Sequence, residues 1–295
     1  MRALRAWLLP LTLHPSPMQL NCGSFSLTLT RPLVMGIVNV TPDSFSDGGH
    51  HLQRDAALAH AHQLIQEGAD ILDIGGESTR PGALPVSVQE ELERIMPVIE
   101  GLRGVSVPLS VDTCKPEVMR AALAAGVSMV NDINALQHPD ALAAVTASNA
   151  AVCLMHMKGS PQNMQEQPQY QNVATEVMQF LRERMDVVQA AGIARERIVV
   201  DPGFGFGKTL EHNLVLLRSL DAFGELGVPV LAGLSRKSML GAITGQDVNH
   251  RVSASVAAAL LAVQRGARIV RVHDVGATVD ALNIWSAVNT LEKHI

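Results

Sequence analysis

The stretch Val107–Asp132, VPLSVDTCKPEVMRAALAAGVSMVND, decides the fold because it contains one complete strand, helix and strand. Val107–Asp112 is short, apolar and β-branched, and Pro116–Ala125 places apolar residues at three- and four-residue spacing. Gly126 follows where a helix ends in a left-handed cap, and Ser128–Asp132 is a second strand-like run. This order predicts two parallel strands covered by a helix.

The same unit recurs along the whole chain without a linker or low-complexity stretch. Strand and helix alternating eight times predict an α/β fold, a single-domain (β/α)₈ TIM barrel. A doubly wound open sheet is the alternative, because periodicity alone does not separate the two. The predicted strands are Leu33–Val40, Asp70–Gly75, Val107–Asp112, Ser128–Asp132, Ala151–Met157, Ile198–Asp201, Val228–Gly233 and Arg268–His273. The predicted helices include Ala56–Glu67, Val88–Leu102, Pro116–Ala125, Val173–Ala191 and Ser253–Arg265.

Length and composition agree with one barrel. The 295 residues are near the usual size of such a domain, and 47% hydrophobic with only 3% aromatic residues indicates an aliphatic core. We assign residues 18–295 to the barrel domain and residues 1–17 to a poorly ordered extension. The apolar stretch 6–13 resembles a signal peptide but lacks a small-residue cleavage site.

Charge and cysteine content exclude several functions. A net charge of −5 argues against nucleic acid as a partner, and we expect no membrane partner either. Cys22, Cys114 and Cys153 are widely separated and form no CxxC pair, which indicates neither a disulfide framework nor a zinc site. These features predict a cytoplasmic protein.

Polar residues gather at or just beyond the carboxyl ends of the predicted strands, which is the end where α/β folds bind ligands. Asp112, Asn131 and Asp201 end three of them and match a heterocycle with amino and amide edges, since carboxylates accept hydrogen bonds and an amide does both. Taken singly, Asp112 before Thr113 is also a plausible helix N-cap. The full set is Asn39, Asp112, Asn131, Asp132, Asp201, Ser235, Arg271 and His273.

Positive charge follows the last two strands, in 235–238 (Ser-Arg-Lys-Ser) and at Arg271 and His273. Barrels of this kind often bind phosphate on these loops, and arginine suits phosphate geometry. The alternative is that these charges only face water. His273 shares a strand face with Arg271, whereas His156 is interpreted as a hydrogen-bonded core residue.

The glycine-rich segment Asp201–Thr209 fits neither common nucleotide-binding motif. A P-loop needs glycine where Pro202 stands, and the glycines are spaced GxGxG instead of GxGxxG. The segment predicts a flexible, flat loop whose backbone approaches a planar ligand. A generic turn is the alternative.

Several segments, in order from Met35 to about Leu282, together resemble the dihydropteroate synthase family. They are Met35–Gly49 (MGIVNVTPDSFSDGG), Gly75–Gly82 (GGESTRPG), Ser110–Thr113 (SVDT), Asn131–Ile133 (NDI), Asp201–Lys208 (DPGFGFGK), Ser235–Ser238 (SRKS) and Arg271–Asp274 (RVHD). Two departures are the N-terminal extension and Ala254, where the family more often has glycine.

The resemblance implies a transferase of folate biosynthesis. It would join 6-hydroxymethyl-7,8-dihydropterin pyrophosphate to para-aminobenzoate, giving 7,8-dihydropteroate and pyrophosphate. It further implies Mg²⁺ as cofactor, a homodimer formed by late helices, and a target of sulfonamides. The alternatives are a pterin-dependent methyltransferase and a non-catalytic paralogue that only binds a pterin or a partner.

The resemblance also implies the site residues. The pterin pocket would comprise Asp112, Asn131, Asp201 and Lys237, with Met155 and Arg271 against the ring. Pyrophosphate would contact Asn39, Arg80, Arg271 and His273, with Mg²⁺ near Asn39. Para-aminobenzoate would lie among Thr79, Arg80, Pro81, Phe206, Ser235 and Lys237. The catalytic residues would be Asp201, Lys237, Arg271 and His273.

Overall fold

The barrel strands are short aliphatic runs because their side chains are buried on both faces of the sheet. The computed structural model of the chain describes residues 18–41, 50–78 and 82–291. Eight parallel strands in it form one sheet, preceded by a two-stranded hairpin. The strands are β1 (Gln19–Cys22), β2 (Phe25–Thr28), β3 (Leu33–Asn39), β4 (Ile71–Gly75), β5 (Leu109–Asp112), β6 (Met129–Asp132), β7 (Ala151–Met155), β8 (Ile198–Asp201), β9 (Leu231–Ala232) and β10 (Ile269–Val272).

The sheet closes on itself. Its strands neighbour one another in the order β8, β7, β6, β5, β4, β3, β10, β9, so the first barrel strand pairs with the last. Between β8 and β9 the closure consists of one pairing, Val200 with Val230, and the Val200 N–H donates to the Pro229 carbonyl over 3.0 Å. The predicted barrel is therefore confirmed, and the open doubly wound sheet is excluded.

Helices cover the outside of the barrel, and four of those described begin at a residue whose side chain caps the helix. The Ser87 side chain accepts a hydrogen bond from the Glu90 N–H over 3.1 Å, and Thr209 accepts one from His212 over 3.2 Å. The helix predicted to begin at Ala56 begins at His50 in the structure. The prediction started too late because the first six residues are mostly polar and show no apolar spacing. The helices are α1 (His50–Gln66), α2 (Val88–Gly101), α3 (Pro116–Ala124), α4 (Pro139–Thr146), α5 (Val173–Ala190), α6 (Leu210–Arg218), α7 (Ser238–Thr244), α8 (Val252–Gln264) and α9 (Val275–Leu291).

The hairpin of β1 and β2, which the sequence analysis did not predict, covers the amino end of the barrel. Leu20 and Cys22 are fully buried there, and the Gly23 N–H donates to the Asn149 carbonyl over 3.0 Å. The apolar cluster at the amino end is separate from the main core, which lies between the strands and the helices. Several members of the amino-end cluster begin barrel strands. The cluster consists of Leu20, Cys22, Leu29, Leu33, Met35, Ile71, Met129, Ala151, Cys153, Val199, Leu231 and Ile269.

Some expectations fall outside the described residues. The extension 1–17 and the three residues Thr79, Arg80 and Pro81 belong to this group. Of the helices that the structure describes, none combines the length and apolar character needed to cross a bilayer.

Candidate active site

Side chains at the carboxyl ends of adjacent strands meet at the mouth of the barrel. Asp112 of β5 pairs in register with Asn131 of β6, and Met155 of β7 pairs with Asp201 of β8. Asn131, Met155 and Asp201 are each at most 6% exposed. Asn131 pairs with Cys153, so Met155 and Asp201 lie two residues further along their strands than the first pair, and all four predicted pterin-pocket residues lie at the carboxyl ends of neighbouring strands.

A guanidinium bridges two carboxylates in this layer. Arg271 donates from Nε to Asp73 Oδ2 and from Nη2 to Asp112 Oδ2, each over 2.6 Å. Asn131 Nδ2 donates to the same Asp73 oxygen over 3.0 Å. Hydrogen bonds between ionised groups at such distances are strong. Side chains from β4, β5, β6 and β10 are thus held as one unit, which we call the carboxylate network.

The carboxylate network has one cation for two anions. Burial raises the pKa of Asp112 above its usual value, Arg271 lowers it, and Asp73 raises it again, so that the net direction is upward. Burial would lower the pKa of Arg271, but Asp73 and Asp112 raise it above its usual value. Arg271 therefore stays charged, and any further hydrogen-bond donor that a ligand supplies would stabilise the ionised form of Asp112.

Asp73 is a residue that the sequence analysis missed. Asp73 lies in the middle of β4 and is fully buried. Its Oδ1 atom has no hydrogen-bond partner among the residues described. An uncompensated buried carboxylate oxygen is costly unless another group uses it. The signal that was available is an acidic residue inside the otherwise apolar run ILDIG.

Lys237 enters the mouth from the loop after β9. Its ammonium donates to the Phe204 carbonyl and lies 4.4 Å from the centre of the Phe206 ring. Burial lowers the pKa of Lys237 to about 8, although Asp201 opposes this change. Burial also raises the pKa of Asp201, while Lys237 and the hydrogen bond from the Gly203 N–H, 2.7 Å long, lower it. Lys237 and Asp201 therefore place opposite charges at the mouth, and each favours the charged form of the other.

Ser235 and His273 form a polar pair at the rim. Ser235 Oγ lies 3.0 Å from His273 Nδ1 and accepts a hydrogen bond from the His273 N–H over 3.2 Å. The neighbouring Arg236 does not point into this group. Its guanidinium bonds Asp274 over 2.5 and 3.1 Å, so its charge is neutralised within the protein. Of the positive residues predicted after the last strands, Lys237 and Arg271 face the mouth and Arg236 does not.

Asn39 ends β3 at the same end of the barrel, partly exposed, beside Gly75 of β4. It offers one amide oxygen to a cation. Within the described ranges, no three His, Cys, Asp or Glu side chains cluster in a way that holds a metal. One neutral oxygen fits Mg²⁺ only where phosphate oxygens and water supply most of the ligands, which is the usual way that Mg²⁺ binds beside a diphosphate.

The glycine-rich loop after β8 differs from the expectation of a flexible segment. Every carbonyl from Gly203 to Gly207 accepts a hydrogen bond, from Phe206 and Lys208 at Gly203, from Lys237 at Phe204, from Gln165 at Gly205, from Lys208 at Phe206 and from Tyr170 at Gly207. The loop is therefore held in one conformation. His156 contributes to it through Lys208, and it is the hydrogen-bonded core residue that the sequence analysis predicted.

Comparison with known proteins identifies the family. A model of the family described as pterin binding enzyme matches residues 35–273. Dihydropteroate synthase of Neisseria meningitidis serogroup C is 53% identical over 273 residues, which is 91% of this chain and 96% of that protein.

Solved structures agree. Xanthomonas albilineans dihydropteroate synthase with 4-aminobenzoic acid superimposes with a TM-score of 0.88 at 57% identity, covering 92% of this chain and 98% of that one. Burkholderia cenocepacia dihydropteroate synthase complexed with 7,8-dihydropteroate gives a TM-score of 0.86 at 53% identity, covering 95% and 99%. The matched region includes every described residue of the site, and the chain belongs to the dihydropteroate synthase family of pterin-binding enzymes.

Proposed function

We propose that this chain joins 6-hydroxymethyl-7,8-dihydropterin pyrophosphate to para-aminobenzoate at the mouth of the barrel, and that the residues described above perform the reaction. The observation that supports this assignment most directly is the carboxylate network. It joins the buried Asp73 and the mostly buried Asp112 to one guanidinium, and Asp73 also to the Asn131 amide. Lys237 and Asp201 add opposite charges at the same end of the barrel.

The pterin ring would bind at the level of the strand ends. Its amino and ring N–H groups are donors, and Asp112 and Asp201 are acceptors whose charge is incompletely neutralised. Asn131 would supply an amide that both donates and accepts. Met155, buried beside them, presents a polarizable surface to a flat ring. Arg271, fixed by Asp73 and Asp112, would lie against the other side of the ring.

The reaction breaks one bond and forms one. The C–O bond between the pterin methylene and the diphosphate breaks, and its electron pair leaves with the diphosphate. The pterin ring stabilises the positive charge left on the methylene. Cations near the leaving oxygens favour this step because charge develops there. Arg271 and His273, with Arg80 from outside the described residues, would bind the diphosphate.

Mg²⁺ would be held by Asn39 together with diphosphate oxygens and water. When bound, it would neutralise part of the charge on the leaving group. The protein would contribute one ligand and the cationic surroundings. Removal of Mg²⁺ should therefore weaken the binding of the dihydropterin pyrophosphate more than the binding of a pterin that lacks the diphosphate.

The arylamine would bind over the pterin, near Phe206, Ser235 and Lys237. Its nitrogen attacks the methylene carbon, a C–N bond forms, and the nitrogen then loses a proton to solvent. Holding the two reactants next to each other contributes most to this step, because an aromatic amine is a modest nucleophile. Thr79, Arg80 and Pro81 are proposed to complete this subsite and lie outside the described residues.

One assay separates this function from its alternatives. The purified protein is incubated with the dihydropterin pyrophosphate, para-aminobenzoate and Mg²⁺, and released pyrophosphate is measured with and without the arylamine. A synthase releases pyrophosphate only when the arylamine is present and forms dihydropteroate in equal amount. A pterin-dependent methyltransferase or a protein that only binds a pterin would release none, and that result would end the proposal.

We also propose a homodimer formed by the last helices. Large apolar side chains are exposed on this side, with Ile243 of α7 at 55%, Leu261 of α8 at 43%, and Ile284 and Val288 of α9 at 69% and 61%. An exposed apolar surface on a globular domain commonly marks an association site. Light scattering at micromolar concentration should give twice the chain mass, and Leu261→Glu should give the chain mass.

A cytoplasmic location completes the proposal. Cys22, Cys114 and Cys153 are all free thiols, as expected where thiols stay reduced. Burial raises the pKa of Cys22 and Cys114 to about 12, which keeps both thiols in their unreactive form. Immunoblotting of cell fractions would test this location.

A further inference from the structure

Lys208 is a buried lysine that the proposed reaction does not use. Only 2% of the residue is exposed. Its ammonium lies 2.9 Å from His156 Nδ1, 2.9 Å from the Gly203 carbonyl oxygen, 2.9 Å from the Phe206 carbonyl oxygen and 3.3 Å from the His156 carbonyl oxygen. Burial lowers the pKa of Lys208, and Asp201 opposes this change. When Lys208 is protonated its ammonium only donates hydrogen bonds, so His156 Nδ1 is the acceptor and the proton of that ring sits on Nε2.

These contacts occupy the donors of Lys208. Three N–H groups meet four acceptors, all of them supplied by the protein chain. A phosphate or a substrate would have to displace one of them. This distinguishes Lys208 from the lysine of a P-loop, which points at phosphate, although both follow a glycine-rich segment. Its role is therefore directed at the loop that surrounds it.

The loop around Lys208 packs directly on the chain after β7. A Cβ atom at Gly203 would lie 1.9 Å from the His156 carbonyl oxygen, and one at Gly207 would lie 2.3 Å from the Lys158 carbonyl oxygen. Both glycines also have positive φ values, 70° and 62°. Two backbone segments with their carbonyls turned toward one another need a donor between them. Lys208 supplies that donor.

The same loop sets the position of the groups proposed to hold the arylamine. The Phe204 carbonyl accepts from Lys237, and the Phe206 ring lies 4.4 Å from the Lys237 ammonium. A Cβ atom at Gly205 would lie 3.1 Å from Lys237 Cδ. Any shift of the loop therefore moves both the aromatic wall and the hydrogen-bond partner of Lys237.

We propose that Lys208 is a positioning residue for the arylamine subsite: its buried ammonium fixes the glycine-rich loop against the chain after β7 and so sets the Phe206 ring and Lys237. This inference rests on the proposed function. It places the larger effect of Lys208 on the arylamine, since Asp112, Asn131 and Met155 of the pterin pocket end strands that Lys208 does not touch. Asp201 and Lys237, which also belong to the pterin pocket, each bond one residue of the loop, so a smaller effect on the pterin substrate is expected.

The test compares Lys208→Met with Lys158→Met. Lys158 is a half-exposed lysine on the neighbouring segment, so it controls for the loss of a positive charge in this region without the loss of a buried donor. We expect Lys208→Met to raise the KM for para-aminobenzoate about tenfold or more, because a buried donor set is lost. The affinity for dihydropterin pyrophosphate, measured by calorimetry, should fall by a clearly smaller factor than the rise in the arylamine KM. Lys158→Met should match the wild type in both measurements.

A milder variant keeps the test valid if Lys208→Met does not fold. Lys208→Gln retains two N–H donors without the charge and should give the same pattern with a smaller rise in the arylamine KM. Equal weakening of both substrates would make Lys208 a general structural residue and overturn the inference, as would an unchanged arylamine KM. Absence of arylamine-dependent turnover in the wild type would instead contradict the proposed function, so the two failures are distinguishable.

Discussion

The two ends of the barrel are built from opposite kinds of side chain. At the amino end, Leu20 and Cys22 of the hairpin pack on apolar residues that begin the strands. At the carboxyl end, Asp112, Asp201 and Arg271 occupy the corresponding level. The first arrangement stabilises the fold by burying apolar surface, and the second leaves buried charges for a ligand to use. The difference teaches that stability and chemistry are separable in this chain, and substitutions at each end test that separation.

The largest effect is expected at Lys237. Replacing it with alanine removes the donor to the Phe204 carbonyl and the cation beside Asp201. We expect Lys237→Ala to lower kcat about a hundredfold or more, with little change in thermal stability. Steady-state kinetics and a melting curve measure the two quantities, and Lys158→Ala is the matched control. A near-normal steady-state rate would contradict the assignment of Lys237.

The next effect belongs to the opposite end. Leu20→Ala removes a fully buried side chain, which should lower the free energy of unfolding by about 2–5 kcal/mol. Denaturant unfolding measures this loss, and kcat and both KM values should stay within about twofold of the wild type. Leu214→Ala, at a more exposed leucine on α6, is the control. If Leu20→Ala lowered activity in proportion to stability, the two ends would not be independent.

A substitution at Asp73, inside the barrel, tests whether ligand affinity can change without a change in stability. Asp73→Asn keeps the shape but leaves Arg271 paired with Asp112 alone, so the charge of the network becomes balanced. We expect stability to change by less than about 1 kcal/mol, while pterin affinity falls roughly tenfold because the acceptor that Arg271 and Asn131 share loses its negative charge. Calorimetric titration with the pterin substrate measures this. Asp140→Asn, on the surface, should show no change, and a large loss of stability with intact affinity in Asp73→Asn would refute the expectation.

The smallest effect is a pH dependence. Lys237 has a pKa lowered to about 8, so it loses its proton as pH rises through that value and can then no longer act as a cation. We expect kcat/KM to fall above pH 8, by about tenfold at pH 9. Lys237→Arg, which keeps its proton, should be less active but flat over this range. A wild-type profile that is flat to pH 10 would rule out a required Lys237 cation.

Much of the fold and part of the site follow from the sequence. Apolar runs specify strands, and Asp112, Asn131 and Asp201 are recognisable because each ends such a run. The hairpin is too short to give a periodic signal, and only the completed barrel provides the surface that it covers. Asp73 and Lys208 were not predicted because their roles depend on partners distant in sequence. Arg271 follows Asp73 by 198 positions, and His156 precedes Lys208 by 52.

The thin closure between β8 and β9 has a consequence for motion. Among the described residues Val200 and Val230 form a single pairing there, so the backbone joins these two strands by fewer pairings than it joins the other neighbouring strands. The hydrogen bond from Lys237 to the Phe204 carbonyl joins the loops that follow β9 and β8, so it connects the same two strands at the carboxyl end of the barrel. A ligand bound between those loops would stabilise the pairing of β8 and β9, and the amide protons of both strands should then exchange with deuterium more slowly.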